Sequence, residues 1–184
     1  KNYPNLRIKE QLFKGIFVER PNRFLTVVDV NGSIVESHLP DPGRLKELLT
    51  PGAELYVSFV PKTSHRKTQY TTWMVRYKGT LVSLVSSLPN RFVKESLESG
   101  DLPMFKDFQI IKPEFTVGRH RFDFLLEDKE GREFYLEVKS VTFVENGIAE
   151  FPDAVTERGR RHAINVTLEE ITFLREIPVN LNID

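Results

Sequence analysis

Asp123, Glu137 and Lys139 carry the side-chain types that could hold a metal ion beside an ammonium, and they fall within one short stretch of the chain. The stretch runs from Arg121 to Ser140. Two segments rich in aromatic and aliphatic residues, Arg121 to Leu126 and Glu133 to Ser140, flank a charged segment with one glycine, which predicts a β-hairpin. A three-residue loop Lys129-Glu130-Gly131 puts Gly131 at the left-handed position such loops need. Asp128 then faces Arg132, and Asp123 lies opposite Glu137, with Cβ atoms roughly 4.5–5.5 Å apart. Lys139, two residues on, shares the face of Glu137. Facing carboxylates repel and are costly to desolvate, and a divalent cation removes both penalties. The alternative is a solvated sheet face on which Asp, Glu and Lys form a loose ion-pair cluster. A slip of one residue would move one strand's side chains to the other face and undo the site.

The rest of the chain must hold this hairpin. It has 184 residues, 40% apolar and 28% charged, enough for one generous domain or two small ones. The formal net charge is zero, so any nucleic-acid surface must come from local asymmetry. The absence of cysteine excludes disulfides and thiolate-bound zinc, and suits a cytoplasmic protein. No apolar run is long enough to span a membrane, and the first residues lack a signal-peptide pattern. The chain begins at Lys1 without a Met, so one or more residues are expected before it.

Residues 1–86 read as a small antiparallel barrel. Strands are predicted over Leu12 to Glu19 and Arg23 to Val30, with Pro21-Asn22 as a break. Asn31-Gly32 is a strong two-residue hairpin signal that folds Ile34 to Leu39 back on Phe24 to Val30. A turn at Pro40-Asp41-Pro42-Gly43 leads to a short helix, Arg44 to Leu49, stopped by Pro51-Gly52. Leu55 to Val60, Thr71 to Tyr77 and Thr80 to Val85 complete the strands, the last two joined at Lys78-Gly79. Strand-strand-strand-helix-strand-strand is the order of an OB-like barrel, though other small barrels share it. Arg23, Arg44, Arg66, Lys67 and Trp73 could grip a nucleic-acid backbone and stack bases. For Trp73 a place in the core is expected instead. His38 and His65 are too far apart in sequence to argue a metal pair.

Residues 87–184 read as an α/β domain with a mixed sheet. Leu88 to Leu97 is predicted helical, stopped at Ser99-Gly100, with Arg91 and Lys94 on its polar face. Phe108 to Ile111 and Glu114 to Val117 are short strands around Pro113. After the central hairpin the strand of Glu137 continues through Val141 to Val144, and Glu145-Asn146-Gly147 turns. Pro152 opens a helix from Asp153 to about Ile164, on which Asp153, Glu157 and Arg161 share a face. Arg158, Arg160, Arg161 and His162 form a basic run, either a solvated face or a phosphate contact. The helix pattern fades at Ile164 and no buried return strand follows at once. The chain is therefore expected to lack an internal segment between about His162 and Asn165. Ile171 to Leu181, broken by Pro178, is expected to form a last strand or pair.

Four blocks carry a family resemblance. They are Arg20-Pro21-Asn22-Arg23-Phe24, His38-Leu39-Pro40-Asp41-Pro42-Gly43-Arg44, Tyr135 to Thr142, and Phe151 to Gly159. Together they resemble the sugar fermentation stimulation protein family, over essentially the whole chain. The resemblance implies an N-terminal OB-like DNA-binding barrel followed by a PD-(D/E)XK nuclease-like mixed-sheet domain. It implies that Asp123 and Glu137 are the two metal-binding acids, Lys139 the motif lysine and Glu114 an additional acid. It also puts Asp153, Glu157 and Arg158 in the family's own helical block. Family members carry a longer stretch after Arg160 than this chain does.

The expected activity is then phosphodiester hydrolysis. Asp123, Glu137 and the Val138 carbonyl would hold Mg²⁺ or Mn²⁺ through oxygen ligands, Lys139 would orient a water, and Arg158 and Arg161 would hold a phosphate. DNA is the expected partner, with strand preference open and no membrane association. Two rivals stand beside this. One is a DNA-binding regulator of sugar-utilisation genes with a dormant nuclease fold. The other is an interaction module whose barrel takes a protein or sugar.

Overall fold

The computed structural model describes residues 6–61, 67–145 and 148–150, the last three and residues 143–145 by backbone alone. The chain divides into two units, one holding Phe13–Leu84 together with the described residues that follow Ser140, the other Val85–Ser140 with the N-terminal segment up to Leu12.

The first unit is an OB-like barrel. Strands β1 (Leu12–Asn22), β2 (Leu25–Val30), β3 (Ser33–His38), β4 (Glu54–Phe59), β5 (Tyr70–Tyr77) and β6 (Thr80–Ser83) follow in sequence. Their order in the sheet is β3-β2-β1-β4-β5-β6, and a parallel β3–β5 pairing closes β1 to β5 into a five-stranded barrel. Alternation drives this: in β2 every second residue, Thr26, Val28 and Val30, is buried. Phe17, Val28, Leu39, Leu55, Val57, Val75 and Leu84 form the core. The Asn31-Gly32 hairpin forms with both residues at positive φ (52° and 84°), pairing Val30 with Ser33. Its register brings Leu25 opposite His38. Three fully buried polar side chains meet within the barrel. The Thr72 hydroxyl lies 2.8 Å from those of Thr26 and Ser37, and Thr26 also donates to the Ser37 carbonyl at 3.3 Å.

Two expectations for the barrel are corrected. Pro21-Asn22 does not break a strand, because β1 runs through to Asn22 and the chain reverses at Arg23-Phe24. Arg44 to Leu49 is not a helix but a single turn, with the Leu49 N–H donating to the Leu45 carbonyl at 2.9 Å. Leu45 sits at φ 52°, outside the helical region, and so few residues between two Pro-Gly pairs cannot propagate a helix. What holds the turn is burial of Leu45, Leu48 and Leu49 in the core. Trp73 is core as expected: it is 9% exposed, and its indole N–H donates to Ser58 Oγ at 2.8 Å.

In the second unit helix α1 (Leu88–Ser99) has Pro in its first turn and ends on Gly100 at φ 74°. Arg91–Glu95 and Lys94–Glu98 ion pairs line its outer side. A 3₁₀ turn, Pro103–Phe105, leads to a sheet of β7 (Gln109–Val117), β8 (His120–Glu127) and β9 (Glu133–Leu136) in the order β7-β8-β9. These described strands are antiparallel to one another. Pro113 was expected to separate two strands, yet β7 passes through it, with a bulge between Ile110 and Lys112. Among the described residues β7 is an edge strand, where a missing N–H costs no ladder bond. The strand of Glu137 was expected to continue to Val144. Instead β9 stops at Leu136, and β10 (Phe143–Glu145) starts a separate two-stranded hairpin with β11 (Ile148–Glu150). No helix among the described residues is long and apolar enough to cross a membrane. The expected helix from Asp153, the suspected gap after His162 and the last strands lie outside the described residues.

Candidate metal centre and nucleic-acid surface

The β8–β9 hairpin has the register argued from its sequence. Phe124 pairs with Leu136, Leu125 with Tyr135, Leu126 with Phe134 and Glu127 with Glu133. The last pair, Phe124 with Leu136, stops one step short of Asp123 and Glu137. The loop supplies the reason for this register. Gly131 takes φ 77°, and the buried Asp128 carboxylate accepts the N–H groups of Glu130 (3.0 Å) and Arg132 (2.9 Å). The Arg132 guanidinium donates to the same carboxylate at 2.6 Å. Burial alone would raise the Asp128 pKa, but the Arg132 N–H and guanidinium outweigh it and hold the group below the usual carboxylate range. The loop is thus fixed, and with it which residues face each other.

At Asp123 the ladder changes character. Asp123 Oδ2 accepts the Val138 backbone N–H at 2.6 Å, and its Oδ1 accepts Asn90 Nδ2 at 2.6 Å. A side chain has replaced the strand partner, which is why β9 stops at Leu136. The half-buried carboxylate is held at both oxygens, by one backbone and one side-chain donor. Beside it Lys139 Nζ is paired with Glu137 Oε1, with Glu137 about one quarter exposed (26%). Asp123, Glu137 and the Val138 peptide therefore gather at one strand end, and Lys139 joins them through Glu137.

Glu114 is placed differently. It falls between Pro113, which pairs with Phe124, and Phe115, which pairs with Phe122, so its backbone lies level with Asp123. However, it adopts φ 53°, and its 70% exposed carboxylate is paired with Arg121 at 2.6 Å. Among the described residues no three His, Cys, Asp or Glu side chains gather to hold a metal ion. The remaining donor set is two carboxylates and a carbonyl, all hard oxygens. That suits Mg²⁺ or Mn²⁺, which keep several waters when bound by one or two carboxylates. A groove of about 440 Å³ in the same unit is lined by Arg7, Lys9, Glu10, Arg91 and Glu95 and contains none of the hairpin acids.

In the barrel the blocks around Arg20 and Asp41 meet. The Arg20 guanidinium donates to the carbonyls of Arg44 and Arg23 (2.9 Å) and reaches that of Asp41 at 3.5 Å. Asn22 Oδ1 accepts the Phe24 N–H and Asp41 Oδ1 the Gly43 N–H, which fixes both turns. This clamp presents Arg23 and Arg44 as exposed residues in one loop cluster, with Arg23 over the Phe24 ring at 5.7 Å. Lys67 is exposed on the loop before β5. Arg66, Asp153, Glu157, Arg158 and Arg161 lie outside the described residues. Sequence reasoning missed two residues, Arg20 and Asn90. Arg20 was visible only as part of a block. Asn90 is 33 positions from Asp123, and no spacing rule links a helix start to a strand end at that separation.

Comparison with known proteins agrees with this architecture. The family model for the SfsA N-terminal OB domain matches residues 18–84. That for the sugar fermentation stimulation protein RE domain matches residues 87–171. A sugar fermentation stimulation protein homolog of Moorella thermoacetica is 44% identical over 157 residues, covering 85% of this chain and 68% of that protein. The homolog of Acetivibrio thermocellus is 46% identical over 172 residues, covering 93% and 71%. The solved structure of Pyrococcus furiosus SfsA in complex with Ca²⁺ aligns with a TM-score of 0.74 and 31% identity, over 88% of this chain and 68% of that one. The chain thus spans about two thirds of the length of these relatives. With both domains matched in order, and on the barrel and hairpin described above, the chain belongs to the sugar fermentation stimulation protein family.

Proposed function

We propose that this protein binds DNA and cleaves phosphodiester bonds with a divalent metal held by Asp123 and Glu137. The observation that carries this reading is the Asp123 carboxylate, held by Asn90 and the Val138 N–H one residue beyond Glu137. A relative whose structure is described as a Ca²⁺ complex adds support. Asp123, Glu137 and the Val138 carbonyl would hold Mg²⁺ or Mn²⁺, which would polarise the scissile phosphate and lower the pKa of a bound water. Lys139 would orient that water or steady charge on the phosphate oxygens. Arg23, Arg44, Arg66 and Lys67 would grip the backbone of the nucleic acid, and Arg158 and Arg161 would hold a neighbouring phosphate, with Asp153 and Glu157 in supporting roles. A cytoplasmic location fits this work.

The test uses end-labelled single- and double-stranded DNA with Mg²⁺, Mn²⁺ or EDTA, wild type beside Lys139→Ala. Metal-dependent cleavage that is lost in the variant is expected. DNA retarded equally by both proteins and never cut would instead select the second reading, a DNA-binding regulator of sugar-utilisation genes with a dormant nuclease fold. That reading draws on the pairing of Glu114 with Arg121 and of Glu137 with Lys139, which leaves Asp123 as the acid held by neutral donors.

A further inference from the structure

We infer that Asn90 is a positioning residue of the metal centre, setting the orientation of the Asp123 carboxylate from the first turn of α1. The inference rests on the metal reading above. A free Asp side chain at a strand end rotates about its carboxylate axis, and a cation then pays for its ordering. Here both oxygens are held. Val138 N–H fixes Oδ2 from the hairpin side, and Asn90 Nδ2 fixes Oδ1 from the helix side, each at 2.6 Å. Each oxygen accepts one bond, so each keeps a lone pair for a hard cation. Partners of this kind around a ligating carboxylate set its orientation, and their loss typically weakens metal binding about 10–100-fold. Asn suits the role better than an acid or a base. Its amide donates without adding charge, so the centre stays at two carboxylates and one ammonium.

A competing account makes the same bond a tether. The first turn of α1 has no acidic residue and Ser87 gives no side-chain cap, so Asp123 could simply anchor the helix start to the sheet. The two accounts predict different measurements on the whole chain. Mn²⁺ binding is followed by the electron paramagnetic resonance of the free ion, and unfolding by urea in EDTA, for wild type, Asn90→Leu, Asn90→Asp and Asp123→Asn. A positioning role predicts Mn²⁺ affinity weaker by about 10–100-fold in Asn90→Leu. In Asn90→Asp the donor is lost and a carboxylate faces Asp123, so unfolding in EDTA is easier, and a gain in Mn²⁺ affinity there reports added charge rather than positioning. Mn²⁺ affinity unchanged in Asn90→Leu, with unfolding alone affected, overturns the inference in favour of the tether. If Asp123→Asn loses Mn²⁺ while the Asn90 variants keep it, the metal reading survives and only the role of Asn90 falls. If wild type binds Mn²⁺ no better than Asp123→Asn, the metal reading fails and this inference with it.

Discussion

Replacing Asp123 by Asn should remove the charge from the candidate centre and leave the fold nearly intact, whereas replacing it by Ala should not. The difference follows from the two bonds at its oxygens. In Asp123→Ala the Val138 N–H and the Asn90 amide both lose a charged acceptor at a half-buried site. Bonds to charged groups contribute about 1.5–3 kcal/mol each when buried, so partial exposure leaves a loss of about 2–3 kcal/mol for the pair. In Asp123→Asn the new Oδ1 still accepts from Val138. The Asn90 amide can rotate to present its own oxygen to the new NH₂ group, and both bonds survive as neutral ones. The expected loss is then about 1 kcal/mol or less. Urea unfolding in EDTA reads both values, and Mn²⁺ titration should show affinity lost in both variants. Equal stability of the two variants, or Asp123→Asn the weaker, would refute the reasoning, because the carboxylate would then not be held as described.

Two further expectations concern the barrel. Thr72→Val removes the hydroxyl that lies between Thr26 and Ser37 and should cost about 1–3 kcal/mol in urea unfolding. Replacing all three by Val, Ala and Val should recover much of that loss, and a triple variant weaker than Thr72→Val would contradict the account. Glu54 is held down to about 2 from the ordinary 4.5 by Arg76, then Lys14 and Tyr56. A lowered carboxylate pKa stabilises the fold above the ordinary value, and that contribution is lost as pH falls from about 4.5 towards about 2. Since Glu54 is 21% exposed and screened, about 1 kcal/mol is at stake, and Glu54→Gln should flatten the stability profile over that window.

Local chemistry was legible from the residues alone wherever a short stretch decides its own geometry. Asn31-Gly32 can turn only as a tight hairpin, and Asp128 with Gly131 sets a loop that fixes which residues of β8 and β9 face each other. The observed pairs follow that register as far as Phe124 and Leu136. Alternating burial likewise announced the barrel strands and put Trp73 inside. Proline was the misleading signal. Pro21 and Pro113 read as breaks, yet β1 and β7 run through them, because a proline interrupts pairing only where its missing N–H would have been used. Arg44 to Leu49 read as a short helix between a turn and the Pro51-Gly52 stop, but it closes a single turn, and its leucines are held by the barrel core. The tertiary structure alone decided the rest. Closure of β3 on β5, the Arg20 clamp that joins two distant blocks, the turning of Glu114 towards Arg121 and the bond from Asn90 to Asp123 all join residues far apart in sequence or depend on one backbone angle. Periodicity and turn chemistry report on neighbours within a few residues. Which strand end meets which helix start is set by packing, and only the folded chain reveals it.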